Sequence, residues 1–365
     1  LNWAEYSGSP GFLFDRIANP DVQWEKQLQF NTGLNFSVWK NKLNLVVDWY
    51  IKRNTDLLIN YNIGNFQGYV NTEVTVNTGN MINHGFDLSL ATNNQWDKIK
   101  WNAELNLSSF TTKVTRLSTQ QPFVERGINR AYVGYLLGMY YLQDWAGVDP
   151  VTGHELIYEY TGEAPFRQKT GNVLDAELLN SVDYRNQAVL IRDKTPYPKL
   201  YGGLSNSLRI ANFELSVLLS FQLGNYLYHN GMRTNSYVST FDTSDKLETL
   251  RGYWTPKNQQ SNVPLLFNSQ MANRHSTRYL VDASYLRLRN LSFNYYLDKK
   301  WVKKLNIKEV QAQLLCQNLL TISGFKQGSP EVSTSSFGAD ANLSLGNMGL
   351  NYGVATVGVG LKVLF

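Results

Sequence analysis

The chain has one cysteine, Cys316, in 365 residues. That excludes a disulfide framework and any zinc or iron–sulfur site built on cysteines. Histidine is nearly as scarce. His84, His154, His229 and His275 are scattered, and none has a partner at a metal-ligand spacing such as H-x₃-H. A G-x-S-x-G elbow, a phosphate-binding glycine loop and a Cys–His arrangement are all missing, so the expectation is a protein that is not an enzyme and carries no cofactor. Charged residues make up 17% of the chain, against roughly 25% in an average soluble domain. No stretch reaches the ~18 uninterrupted apolar residues of a membrane-spanning helix. The first residues, Leu1-Asn2-Trp3, include neither a start methionine nor a signal peptide. The expectation is a processed product, or a sequence with more upstream.

What is abundant is aromatic: 22 Tyr, 17 Phe and 9 Trp, too many for a disordered chain. Apolar residues recur with a period of two, which puts them on one face of an extended strand. Leu28, Phe30, Leu34, Phe36 and Val38 alternate with Gln27, Gln29, Asn31, Asn35 and Ser37. The pattern returns at Leu43–Ile51, Phe86–Leu90, Ile99–Leu107, Leu200–Ile210, Phe213–Phe221, Tyr285–Leu297, Val310–Cys316 and Ala355–Phe365, giving nine strands. Within Tyr285–Leu297 the phase slips, which predicts a β-bulge near Arg289-Asn290.

The links between strands alternate in length. Short ones lie near Trp39–Lys42, Asn93–Lys98, Ala211-Asn212 and Asp298–Lys304. Long ones run over roughly 53–80, 110–197, 223–277 and 317–350. Short turns at one rim and long loops at the other are the pattern of a transmembrane antiparallel β-barrel, with a soluble β-sandwich as the competing all-β architecture. Trp39, Trp96, Trp101 and Trp301 gather at the short turns, as indoles do at a bilayer interface. So do Lys40, Lys42, Lys98, Lys100, Lys299, Lys300, Lys303 and Lys304, which carry much of the net charge of +5. Lysines there snorkel into water, so no nucleic-acid partner is expected. Cys316 alternates with apolar neighbours and reads as a small lipid-facing residue. Asp48, Glu104 and Glu214 fall on the opposite, polar face, lining a path or contacting a plug.

Several segments resemble the SusC-like (RagA-like) TonB-dependent transporters of the Bacteroidetes outer membrane. Asn19-Pro20-Asp21-Val22-Gln23-Trp24-Glu25-Lys26 is similar to that family's entry into a strand, followed by Gly33-Leu34-Asn35-Phe36 and then by Val47-Asp48-Trp49-Tyr50-Ile51-Lys52-Arg53-Asn54-Thr55-Asp56-Leu57-Leu58. Asn77-Thr78-Gly79-Asn80-Met81-Ile82-Asn83-His84-Gly85-Phe86-Asp87 and Gly147-Val148-Asp149-Pro150-Val151-Thr152-Gly153 follow in family order. Tyr253-Trp254-Thr255-Pro256-Lys257-Asn258 and Asp282-Ala283-Ser284-Tyr285-Leu286-Arg287-Leu288-Arg289-Asn290 are the most specific, and Gln317-Asn318-Leu319-Leu320-Thr321 continues the series. The closing alternation ending on Phe365 resembles the signal read by the barrel assembly machinery.

The resemblance implies a 22-strand barrel around an N-terminal plug. Residues 1–365 would then be its C-terminal nine or so strands, with the plug and the earlier strands absent from this chain. Phe365 would lie in the periplasm and Leu1 in an extracellular loop. The implied function is TonB-dependent import of oligosaccharides or oligopeptides, with a structural barrel in a larger outer-membrane assembly for secretion, gliding or surface attachment as the alternative. The implied partners are the remainder of the barrel, a SusD-like surface lipoprotein acting as a lid, TonB through the missing N-terminal part, and the lipid bilayer with its lipopolysaccharide. Many relatives carry an acidic, calcium-loop-like run after the Asp149–Gly153 turn. Here Tyr160-Thr161-Gly162-Glu163-Ala164 offers one carboxylate, so no metal is expected. The long loops are rich in aromatics, which either meet ligand and lid or pack the loops onto one another. The candidates for ligand or lid contact are Tyr140, Tyr141, Trp145, Tyr226, Tyr228 and Trp254. Tyr132, Tyr135, Tyr158, Tyr160, Tyr237, Phe241 and Tyr253 accompany them in the same loops.

Overall fold

A computed structural model describes residues 2–6, 9–13, 18–62, 73–118, 123–163, 166–236, 248–266, 274–304, 307–325, 328–331 and 354–365. Tyr237 and Phe241 lie outside the described residues.

Nine strands form one antiparallel sheet in which every neighbour in space is a neighbour in sequence. They are β1 (Lys26–Val38), β2 (Leu43–Asn62), β3 (Glu73–Trp96), β4 (Ile99–Arg116), β5 (Leu200–Ile210), β6 (Phe213–Leu223), β7 (Tyr285–Tyr296), β8 (Glu309–Ser323) and β9 (Thr356–Leu364). The alternation therefore located all nine. A hairpin of Asn2–Tyr6 with Ser9–Leu13 stands outside the sheet and was not expected.

Register aligns like faces across the sheet. Phe36, Leu45, Leu90, Leu105, Leu204, Leu219, Leu288 and Leu320 are successive cross-strand partners, an apolar row running from β1 to β8. Gly33, Asp48, Asp87, Ser108, Tyr201, Gln222, Tyr285 and Ser323 form a parallel row on the other face. A one-residue slip in any strand would exchange the two faces, so this pairing fixes the register of the whole wall. Glu104 and Glu214 share the polar face with Asp48, and Cys316 sits on the apolar face opposite Leu291 and Val357.

The bulge falls where the phase slip put it. Leu218 and Leu219 of β6 are adjacent, yet they pair with Asn290 and Leu288, leaving Arg289 as the extra residue. Its side chain joins the polar face, where Arg289 Nε donates to Ser220 Oγ at 2.9 Å. On β8 the irregularity continues at Asn318, whose φ is 52°.

Two expectations about connectors are corrected. Most of the stretch 53–80 is strand rather than loop, because β2 runs on to Asn62 and β3 starts at Glu73. Register shifts between Asn54 and Leu58 hid this, since they break the period of two; Asp56, at φ 58°, is the bulged residue. The short link at Asp298–Lys304 contains a helix, Lys299–Lys304, whose first turn is held by Asp298 Oδ1 accepting from Lys300 N at 2.9 Å. Trp39, Trp96 and Trp301 are exposed along this short-turn rim, at 72%, 49% and 60%. No helix among the described residues is long and apolar enough to cross a membrane; the strands are the elements long enough to do so. A strand of 11 residues at about 3.4 Å each, tilted by about 45°, covers roughly the apolar thickness of an outer membrane, and β5 and β6 have that length.

Most wall side chains are half-buried or exposed on both faces, and among the described residues β1 and β9 each pair on one side only. Most buried apolar side chains instead lie in the long connections. Ile128, Tyr140, Leu142, Tyr228, Tyr279 and Leu280 make one cluster; Tyr132, Met139 and Leu190 make a second; Ile157, Ala176 and Tyr184 make a third.

Candidate functional site

The connections after β4 and β6 build a layer on the long-loop rim. Four small sheets frame it: Phe123–Arg126 with Asn129–Tyr132; Trp145–Val148, Glu155–Thr161 and Gln168–Asp175; Tyr141–Leu142 with Val189–Leu190; and Tyr226–Tyr228 with Leu280–Asp282. Hydrogen bonds stitch the two connections together across large sequence separations. Tyr140 Oη donates to Tyr226 O at 2.8 Å, Thr277 Oγ1 accepts from Trp145 N at 2.9 Å, and Tyr228 Oη meets His275 Nδ1 at 3.0 Å. Gln143 Nε2 donates to Tyr184 O at 3.0 Å inside the same layer.

These contacts sort the six aromatic candidates. Tyr140 and Tyr228 are completely buried, and Trp254 is 7% exposed. Burial raises the Tyr140 and Tyr228 phenols well above their ordinary pKa, so both act as hydrogen-bonding packing groups. Trp254 lies against the Asp149–Gly153 turn, its Nε1 donating to Pro150 O at 3.0 Å. That turn is as the sequence implies: Asp149 Oδ1 accepts from Val151 N and Thr152 N, and Gly153 adopts φ 76°. A Cβ at Gly153 would meet the Trp254 ring at 2.5 Å, so the glycine lets the indole close over the turn. Tyr141, Trp145 and Tyr226 are half-buried, and each lies beside a cation: Arg130 at 3.7 Å, Arg278 at 5.8 Å and Lys194 at 5.0 Å from the respective rings.

Beneath the aromatics is a buried ionic knot. Glu155 is 1% exposed; burial raises its pKa, and Arg278 and Arg274 oppose that rise. Ser276 Oγ donates to Glu155 Oε1 at 3.3 Å, and Arg274 pairs with Glu177 at 3.7 Å. The Arg274–Glu177 pair and the Ser276–Glu155 hydrogen bond join one connection to the other, and breaking either side of the buried pair would leave a charge costly to bury. The described residues contain no group of three or more His, Cys, Asp or Glu placed to hold a metal.

One open groove of 670 Å³ lies beside this core. Val189, Leu190 and Ile191 form its floor, Tyr160 and Phe166 its walls, and Arg167, Lys169, Arg192 and Asp144 its polar edge. Tyr160 Oη donates to Asp144 Oδ2 at 2.9 Å, and Lys169 Nζ reaches the same oxygen at 3.4 Å. Burial, then that hydrogen bond and the Asp144 charge, raise the Tyr160 phenol well above its ordinary range. None of the six candidates lines the groove, although Tyr141 pairs with Leu190 of its floor. The sequence did carry a signal: Tyr158 and Tyr160 share a strand face, and Lys169 of the next strand lies opposite Tyr160 and over the Tyr158 ring at 2.9 Å.

Comparison with known proteins agrees with the wall and its loop layer. Residues 2–185 match the model of the TonB dependent receptor-like β-barrel. TonB-dependent receptor P3 of Formosa agariphila is 26% identical over 97% of this chain, which spans 36% of that protein. TonB-dependent receptor SusC of Bacteroides thetaiotaomicron is 24% identical over 89% of the chain and is spanned to 31%. The solved structure of the RagAB peptide transporter superposes on the full chain with a TM-score of 0.78 at 25% identity, over 38% of its own chain. This chain thus spans about a third of the length of the relatives it matches. It belongs to the TonB-dependent receptor-like β-barrel family, and it is a SusC-like member.

Proposed function

We propose that this chain is wall and loop layer of an outer-membrane importer that takes up oligopeptides or oligosaccharides with energy delivered through TonB. The observation carrying the reading is the full-length superposition on the RagAB peptide transporter, loops included. The relation to SusC supports the same transport class. In this reading residues 1–365 are the C-terminal wall segment of the barrel, and the edges of β1 and β9 pair with strands from the rest of it, since an open ladder is not tolerated in lipid. Short turns and Phe365 face the periplasm; the loop layer faces outward.

A SusD-like lipoprotein sits on the loop layer. Tyr141, Trp145 and Tyr226 keep exposed surface for it or for cargo, whereas Tyr140, Tyr228 and Trp254 hold the layer's shape. Uptake of labelled oligopeptides and oligosaccharides by cells carrying the intact gene, with and without TonB, tests the reading. Accumulation that requires TonB, together with a single lipoprotein co-purifying from native membranes, supports import. Uptake indifferent to TonB, or isolation within a large multi-component assembly, replaces it with the structural-barrel reading.

A further inference from the structure

The groove beside the loop core has an unbalanced edge. Arg167, Lys169 and Arg192 face a single carboxylate, Asp144. Asp144 is already engaged by Tyr160 and Lys169 on Oδ2, and by Thr277 Oγ1 at 3.3 Å on Oδ1. Arg167 spends Nη1 on Ala188 O at 3.0 Å, and its Nε is buried with no hydrogen-bond partner among the described residues. That nitrogen is closed to the groove, so a ligand would meet Arg167 through the terminal end of its guanidinium, for which a carboxylate is the best-matched acceptor. Arg192 is exposed, lies 6.0 Å from the Tyr135 ring, and meets no carboxylate among the described residues.

The rest of the groove narrows the ligand. Its floor is three aliphatic residues, and Phe166 is 69% exposed above it. A neutral sugar brings hydroxyl donors in quantity, but the one anionic acceptor present already holds three donors. The site offers cationic donors and apolar contact, the complement of an acidic side chain flanked by an aliphatic one.

We propose that this groove is a capture site for acidic oligopeptides, with a Glu or Asp carboxylate on Arg167 and Arg192 and the neighbouring aliphatic side chain on the Val189–Ile191 floor. The inference rests on the import reading only in taking the peptide to be cargo. The binding itself needs no energy input, so it is tested apart from transport.

Calorimetry on the intact protein with its co-purifying partners provides that test. The probes are the blocked peptides Ala-Glu-Leu-Glu-Ala and Ala-Gln-Leu-Gln-Ala, and trigalacturonate as a carboxylate of sugar origin. The acidic peptide is expected to bind about tenfold tighter than its amide twin, with a preference that shrinks as salt is raised. Arg192→Gln, on an exposed side chain that leaves the fold intact, should narrow the preference to about threefold without altering the amide peptide. Phe166→Ala should weaken both peptides by a similar factor. Equal affinity for the two peptides, or a preference unmoved by Arg192→Gln, overturns the site. Trigalacturonate binding more tightly than the acidic peptide overturns the peptide assignment. If acidic preference is absent while TonB-dependent uptake continues, the groove assignment fails and the import reading stands; the converse result separates them in the other direction.

Discussion

Arg287 of the wall holds Glu331 of the following loop through a 2.5 Å guanidinium–carboxylate contact, and the bulge adds a second arginine to the same carboxylate. Arg289 pairs with Glu331, Tyr285 Oη donates to it at 2.8 Å, and Arg287 also reaches Thr321 Oγ1 and Ser329 Oγ. Two residues apart on one strand, Arg287 and Arg289 share the polar face, and together they tie the chain beyond β8 back onto the wall.

Replacing Glu331 leaves the nearly buried Arg287 without its anion. Glu331→Gln is expected to cost about 3 kcal/mol, since breaking one side of a buried pair is far worse than never having it. The check is the midpoint of heat-modifiable gel mobility in detergent, which should fall, accompanied by new protease cleavage after β8. The conservative Glu331→Asp should fall between wild type and Gln.

Gly153 and Trp254 make a second long-range lock, inside the loop layer. Gly153→Val meets both the positive φ and the indole, and Trp254→Ala empties a buried ring site, a change of about 3–5 kcal/mol. Both should expose the loops to limited proteolysis. Neither should change the gel mobility of the barrel itself, because the wall does not depend on that contact.

Acidity should loosen the same layer. Burial, then Arg233, lower His275 from 6.5 to about 4, and burial lowers His229 in the same direction. The unfolded chain therefore binds protons between pH 6.5 and about 4 that the folded layer does not. Stability contributed by the neutral imidazoles is full above 6.5 and is lost as pH falls through that window. Hydrogen exchange at 226–228 and 280–282, corrected for intrinsic rate, should quicken as pH drops. His275→Gln should flatten that dependence.

The two faces of the wall should respond oppositely to charge. Leu105→Arg, in the middle of the apolar row, is expected to cost about 2–4 kcal/mol at the bilayer midplane. Asn106→Arg on the other face should assemble normally. Yield of folded, heat-modifiable protein in the outer-membrane fraction reports the difference.

The wall was legible because each strand obeys one local rule, a period of two, and because Arg289 breaks it once in a place where the break is visible. The upper halves of β2 and β3 were not, since the bulge at Asp56 puts Leu57 and Leu58 out of phase. The loop layer was harder still. Tyr140 and Tyr141 are adjacent, yet one is fully buried and the other only half, and nothing in the pair itself says which carries the hydrogen bond to residue 226. The groove draws on Asp144, on 160–169 and on 189–192, segments joined by the pairing of Tyr141 with Leu190 and by side-chain bonds such as Tyr160 to Asp144 and Arg167 to Ala188 O. Spacing along the chain shows the Tyr158–Tyr160 pair and nothing of the segments that are brought to it.

That the leucine face of this sheet meets lipid is tested most directly by spin-label accessibility along β4. Positions 102 to 107 would each be replaced by a labelled cysteine in a Cys316→Ala background, in the intact protein reconstituted in bilayers. Labels at Ala103, Leu105 and Leu107 should be relaxed by oxygen dissolved in the hydrocarbon, and those at Asn102, Glu104 and Asn106 should not. Accessibility without a period of two, or with the two sets exchanged, would contradict a barrel wall in this orientation.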